Sequence, residues 1–148
     1  MTQRNKPVAG AAGGAGNSEV AKELERTTQM RGFRYGLHDF VAALGGAEAL
    51  KRHNDNTQGH YLKDAKIDRK TKELLIVVAC MACHDLVSHM QLHMHAAHRA
   101  GASPEEIMEA INLVGDWTGN VAKIKALEAW RATFRPDIPT IDRVVELR

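Results

Sequence analysis

The segment DRKTKELLIVVACMACHDLVSHMQLHMHAAHRAGASPEEI, residues 68–107, decides the fold of this chain. Its apolar residues recur at spacings of three and four, which is typical of a helix with one buried face. Asp68 is suited to cap a helix start, Gly101 to end a helix, and Ser103 with Glu106 to form a capping box. The segment predicts three consecutive helices, over residues 68–82, 84–100 and 104–116.

The same helical spacing continues outward, and no alternating strand pattern runs longer than a few residues. We therefore predict an all-α fold, with residues 18–148 forming a single domain. Residues 1–17 are rich in Gly, Ala and Asn and are expected to form a disordered N-terminal arm. The remaining helices are expected over residues 18–30, 32–44, 46–53, 57–65 and 119–133.

The composition excludes two classes of partner. The 148 residues include 20 basic and 18 acidic side chains, interleaved along the chain, so no nucleic-acid partner is expected. The longest apolar run, Leu74–Ala82, is too short to cross a membrane, and the N-terminus lacks the apolar segment of a secretory signal. We expect a cytoplasmic protein that takes a small-molecule substrate and keeps its two cysteines free of a structural disulfide.

Five of the eight histidines lie between residues 84 and 98, and they divide between two helix faces. At about 100° per residue, His89 and His93 fall on the apolar face. The other three, His84, His95 and His98, fall on the polar face and are expected to contact solvent. Because burying two stacked imidazoles is costly, the inward pair is the first candidate for function.

Imidazoles four residues apart on a helix can also converge on one metal ion. Our main expectation is that no cofactor is needed, and the alternative is a divalent metal ion held by His89 and His93. A third ligand would then come from Asp85, Glu73 or Glu106. The sequence HMQLH lacks the glutamate of the HExxH zinc-protease motif.

The spacing of Cys80 and Cys83 is that of a CxxC pair, which indicates either redox thiols or two small core residues. The pair closes an apolar helix, where the helix dipole opposes a thiolate. Glu73 lies near the start of the same helix. It is either a buried carboxyl suited to proton transfer or a solvent-facing residue favoured by the dipole.

A glycine-flanked turn, residues 115–120, separates the last two predicted helices. Its Asp116 and Trp117 could close a substrate pocket, or the segment could be a turn alone. Both side chains are kept as candidate substrate-binding residues.

Residues 67–130 resemble the core domain shared by γ-carboxymuconolactone decarboxylases and AhpD-like alkylhydroperoxidases. The resemblance implies an all-α, AhpD-like helical subunit that packs against copies of itself, as a homotrimer or homohexamer with sites near the interfaces. It is carried by Asp68-Arg69-Lys70-Thr71, Glu73-Leu74, His93 eight residues before Gly101-Ala102-Ser103, Glu105-Glu106-Ile107 and Ala126-Leu127.

The two branches of this family differ around the histidine that matches His93. The hydroperoxidase branch carries a CxxC ending four residues earlier, where this chain has Leu86 and His89 instead. The decarboxylase branch has a Glu-Leu-x-x-His run, which residues 89–93 resemble with a histidine in place of the glutamate. The spacing from Glu73 to His93 is one residue longer than in the family, which predicts an altered turn near residues 83–84.

We therefore expect a carboxymuconolactone decarboxylase-like enzyme that performs a decarboxylation or related lyase or isomerase step on a small organic acid or lactone. His93 would move the proton, His89 would tune it or bind the substrate carboxylate, and Glu73 would support both. Glu106, like the two turn residues, is a candidate for substrate binding. The alternatives are an AhpD-like thiol peroxidase using Cys80 and Cys83, and a non-catalytic metal- or ligand-binding oligomer using the histidine pair.

Overall fold

The computed structural model describes residues 14–63, 65–143 and 145–146, and no strand occurs among them. The all-α prediction is confirmed. No helix in this described part is long and apolar enough to cross a membrane. The elements are α1 (Gly14–Arg31), α2 (Gly36–Thr57), a π-helical turn (Gln58–Leu62), α3 (Arg69–Ala82), α4 (Val87–Arg99), α5 (Pro104–Thr118) and α6 (Asn120–Phe134).

The chain divides into two compact units, Met1–Lys63 and Asp64–Arg148, where the sequence analysis expects one domain over residues 18–148. In the first unit, α1 begins four residues before its predicted start at Ser18. Extending a helix adds one hydrogen bond per residue without a new nucleation cost, so even glycine is accommodated there. Residues 1–13 of the predicted arm lie outside the described residues.

Two glycines shape α2. Gly46 has φ 64° and ψ −163°, so the helical hydrogen bonding is interrupted at the point where the sequence predicts two separate helices. A Cβ on Gly45 would lie 2.4 Å from the Cβ of Ala49, a separation that real side chains do not tolerate. Both positions therefore require glycine, one for its backbone conformation and the other for its lack of a side chain.

The first unit has a polar interior that contains the fully buried His38. The backbone N–H of Tyr35 donates to its Nδ1 at 3.2 Å and caps the start of α2, and the Tyr35 carbonyl oxygen lies 3.1 Å from the same nitrogen. Burial, together with the nearby charge of Arg31, lowers the pKa of His38 to about 4. The folded unit therefore holds this imidazole neutral.

This neutral histidine predicts a loss of stability in mild acid. Its pKa is about 4 when folded and 6.5 when unfolded, so the unfolded chain binds the extra proton between these values. The free energy of unfolding should fall by about 3 kcal/mol as the pH drops from 6.5 to 4. Urea denaturation across this range, followed by circular dichroism, measures the loss.

The His38→Asn variant keeps an acceptor for the Tyr35 N–H but does not titrate, so it should show a much flatter pH dependence. His60→Asn changes an exposed histidine of the same unit and serves as the matched control. An unchanged pH dependence in His38→Asn would contradict the assignment.

The second unit packs α3, α4, α5 and α6 around one apolar core. Both predicted helix starts are confirmed: Asp68 Oδ1 accepts from the Thr71 N–H at 2.7 Å, and Ser103 and Glu106 form the capping box. Gly101 adopts φ 99° after α4, as expected. The buried members of the core are Val77, Cys80, Met81, Met90, Met94, Ala97, Ala102, Ile107, Ile111, Ala122, Ala126 and Ala129.

The turn between α3 and α4 differs from the sequence prediction. His84 has φ 54°, a left-handed conformation that non-glycine residues adopt at a cost of about 1 kcal/mol. Leu86 is extended, so α4 begins at Val87 and not at residue 84. The Asp85 N–H donates to the Cys80 carbonyl at 2.9 Å, which closes the turn tightly.

Candidate active site

Glu73 lies on α3 with its side chain completely buried. The Arg69 Nε–H donates to Oε1 at 2.6 Å, and Oε2 lies 2.8 Å from His93 Nδ1. A buried carboxylate is tolerated when each oxygen has a partner, and here both have one. Of the two interpretations given by the sequence, the buried carboxyl is therefore the one observed.

His93 and His89 lie one turn apart on α4 with their rings in edge contact. Their Nε2 atoms are 3.2 Å apart, and the ring centroids are separated by 4.9 Å. The side chain of His93 is 9% exposed and that of His89 is 27% exposed. The predicted inward pair is confirmed, and the three polar-face histidines are exposed as expected.

Asp85 extends this chain of contacts to the surface. Its Oδ2 lies 2.5 Å from His89 Nδ1, and its Oδ1 accepts from the Leu86 N–H at 2.6 Å. The Leu86 N–H, and then His89, hold the pKa of Asp85 below its usual value. From the sequence, Asp85 is predicted only as a possible metal ligand. Its position four residues before His89 was the sequence signal that could have indicated its contact with that imidazole.

The hydrogen-bond partners determine where the ring protons lie. Each Nδ1 faces a carboxylate oxygen and so carries a proton. The two Nε2 atoms can bond to each other only if one of them is also protonated. The Glu73–His93–His89–Asp85 chain is hereafter called the relay, and a hydrogen bond between its two Nε2 atoms requires three ring protons on the four nitrogens.

The surroundings of Cys80 oppose thiolate chemistry. Burial, and then the charge of Asp85, raise the pKa of its thiol to about 12. A peroxidase needs a reactive thiolate near neutral pH, which requires the opposite shift. Cys83 lies three residues further on, at the end of α3, where it is exposed. Both thiols are free, as expected from the sequence.

The three predicted substrate-binding residues lie elsewhere in the second unit. The carboxylate of Glu106 accepts from Lys70 Nζ at 2.6 Å and from the Ser103 N–H at 2.8 Å, and so it serves the helix cap. Asp116 accepts from Lys123 Nζ at 2.9 Å on the surface. Trp117 is 88% exposed. Their proposed role in binding a substrate stays a prediction.

A surface cavity of about 610 Å³ lies in the first unit. Asp55 and Lys63 give it two charged side chains, and its other lining residues are Met30, Gln58, Gly59 and Leu62. Asp55 is already bound to Arg26 and Lys51. Within the second unit, His89 and Asp85 are the part-exposed members of the relay.

The comparison with known proteins identifies the family. The model of the carboxymuconolactone decarboxylase family matches residues 47–132, which is more than half of the chain. The chain therefore belongs to the carboxymuconolactone decarboxylase family. All members of the relay lie within the matched residues. No curated protein and no solved structure matches the chain.

The Glu73–His93 contact should make a measurable contribution to stability. Glu73→Gln removes the buried charge and its ion pair with Arg69, so we expect a loss of about 3 kcal/mol in urea denaturation. His93→Gln should also destabilise the unit. The double variant should lose less than the sum of the two by about 1 kcal/mol or more, because each single variant already breaks the shared contact.

Glu105→Gln changes an exposed carboxylate in the same unit and is the control for the loss of charge itself. Strict additivity of Glu73→Gln and His93→Gln would show that the two side chains do not interact.

Proposed function

We propose that this chain is a decarboxylase-like lyase that performs acid–base chemistry on a small organic acid or lactone, with its own imidazoles carrying the proton. The observation that carries the proposal is the relay, which joins the fully buried Glu73 to the part-exposed Asp85 without a break. Membership of the carboxymuconolactone decarboxylase family supports the same class of reaction.

A decarboxylation needs a proton donor, and the relay supplies one. When the bond to the carboxylate breaks, its electron pair stays on carbon and CO₂ leaves, so the carbon must gain one proton. The two Nδ1 protons are held by carboxylates, whereas the proton between the Nε2 atoms is shared by the two imidazoles. That proton is the one available for transfer, and solvent restores it through Asp85 and His89.

The two histidines take different roles because their exposure differs. His89 is the more exposed ring, so we assign it to contact the substrate carboxylate when the pair opens. His93 stays fixed by Glu73 and delivers the proton from Nε2. A fixed donor is effective because its orientation is set before the substrate arrives.

Loss of His93 should remove turnover. With carboxymuconolactone as the first substrate tried and CO₂ release as the assay, His93→Ala should be slower by about 10²- to 10⁴-fold, the usual contribution of a general acid. His95→Ala changes an exposed histidine on the same helix and should keep the wild-type rate. A His93→Ala variant as active as wild type would refute the proposal.

We also propose that the working form is a homo-oligomer, a homotrimer or homohexamer. Large apolar side chains are exposed on two adjoining helices, including Leu113 and Trp117 on α5 and Val121 and Ile124 on α6. Exposed apolar rows of this kind are typical of a surface that a partner covers. A second copy of the chain is the partner that the family resemblance implies.

The oligomer has its own test. Trp117→Glu places a charge within the exposed apolar row, so light scattering should report a smaller assembly than for wild type. Asn112→Glu adds the same charge at an exposed polar position of α5 and should leave the mass unchanged. A monomeric wild-type chain, or an unaltered mass for Trp117→Glu, would contradict the proposal.

A further inference from the structure

A second set of ligand atoms meets at the outer end of the relay, beside His89. Cys80 Sγ, a carboxylate oxygen of Asp85 and a ring nitrogen of His89 lie within 4.8 Å of one another. Among the described residues, this is the group of three metal-ligating side chains whose ligand atoms come within reach of one ion. The donors come from the end of α3, the turn after it and the first turns of α4.

We propose that Cys80, Asp85 and His89 form a binding site for a zinc-class divalent cation. One thiolate, one imidazole and one carboxylate make a donor set that suits Zn²⁺ or Co²⁺ and not Mg²⁺ or Ca²⁺, which prefer oxygen ligands. Three protein ligands leave a fourth tetrahedral position for water. This inference does not depend on the proposed lyase activity.

The present distances are close to those that the ion requires. Sγ and Nδ1 are 4.0 Å apart, and tetrahedral zinc bonds would place them about 3.6 Å apart. Nδ1 and Oδ2 are 2.5 Å apart with a proton between them, and an ion would separate them to about 3.3 Å. The side chains of Asp85 and His89 are 32% and 27% exposed, so an ion has a path from solvent.

The surroundings also orient the ligands as a metal site needs. The Leu86 N–H binds Oδ1 of Asp85 and leaves Oδ2 directed at His89. On the other side of the imidazole ring, Nε2 lies against His93, whose Nδ1 is held by Glu73. A ligating histidine usually donates its second N–H to such a partner, which fixes both tautomer and orientation.

Proton counting agrees with this site. Binding of the ion releases the proton of the Cys80 thiol and the proton on Nδ1 of His89. The Nε2–H of His89 then donates to His93, and Nδ1–H of His93 donates to Glu73. Every contact of the relay is then satisfied with both imidazoles neutral, because the cation takes the place of the Nδ1 proton of His89.

The test uses Co²⁺ as the probe, added to the untagged full-length chain after treatment with a chelator. We expect one Co²⁺ per chain, a near-ultraviolet thiolate-to-cobalt charge-transfer band, and loss of the band when Zn²⁺ is added. Cys80→Ser should abolish the band. Cys83→Ser, three residues away and exposed, is the matched control and should keep it.

Because Cys80 is buried and its replacement can disturb folding, Asp85→Asn provides a second variant at a more exposed position. It should retain the band but weaken Co²⁺ binding by about tenfold or more. The proposal is overturned by absence of the band in the wild-type chain, by its persistence in Cys80→Ser or its loss in Cys83→Ser, or by an unchanged affinity in Asp85→Asn.

Discussion

The contact between Glu73 and His93 is the constraint on which the second unit depends. It joins α3 to α4 through two side chains that water hardly reaches, and a buried carboxylate is costly unless both oxygens are bound. Arg69 binds one oxygen and the imidazole binds the other. The position of the glutamate therefore fixes the plane of the His93 ring, and through it the direction in which its Nε2 points.

The orientation of His89 depends on its contact with the His93 ring. Its Nε2 faces His93, so its Nδ1 is directed to Asp85 and Cys80, where α3 ends and the turn begins. The result is a chain of polar groups that is buried at Glu73 and open to solvent at His89 and Asp85. The open end can hold a proton or a cation at the same nitrogen, which connects the proposed acid–base chemistry with the proposed metal site.

Local signals in the sequence were sufficient for much of this arrangement. The caps at Asp68 and Ser103 depend on residues three apart, and the inward direction of His89 and His93 follows from helical spacing alone. The burial of Glu73 could not be predicted from these local signals, because a glutamate near a helix start is equally suited to contact solvent. It depends on Arg69 and on a histidine twenty residues away.

The turn between α3 and α4 could not be predicted from residue types. Only a few per cent of non-glycine residues adopt the left-handed conformation of His84, so a histidine there does not by itself predict it, and this conformation brings Asp85 back toward Cys80 and His89. The division into two compact units near Lys63 also lacks a glycine- or proline-rich linker to mark it. In both cases the outcome depends on tertiary contacts.

The central claim is that the relay holds one proton more than two neutral imidazoles. A neutron structure of the deuterated, ion-free protein at neutral pH locates these protons directly. Our account predicts deuterium on Nδ1 of both rings and one further deuterium between the two Nε2 atoms. Two neutral rings with no deuterium between them, or four deuterated nitrogens, would contradict it.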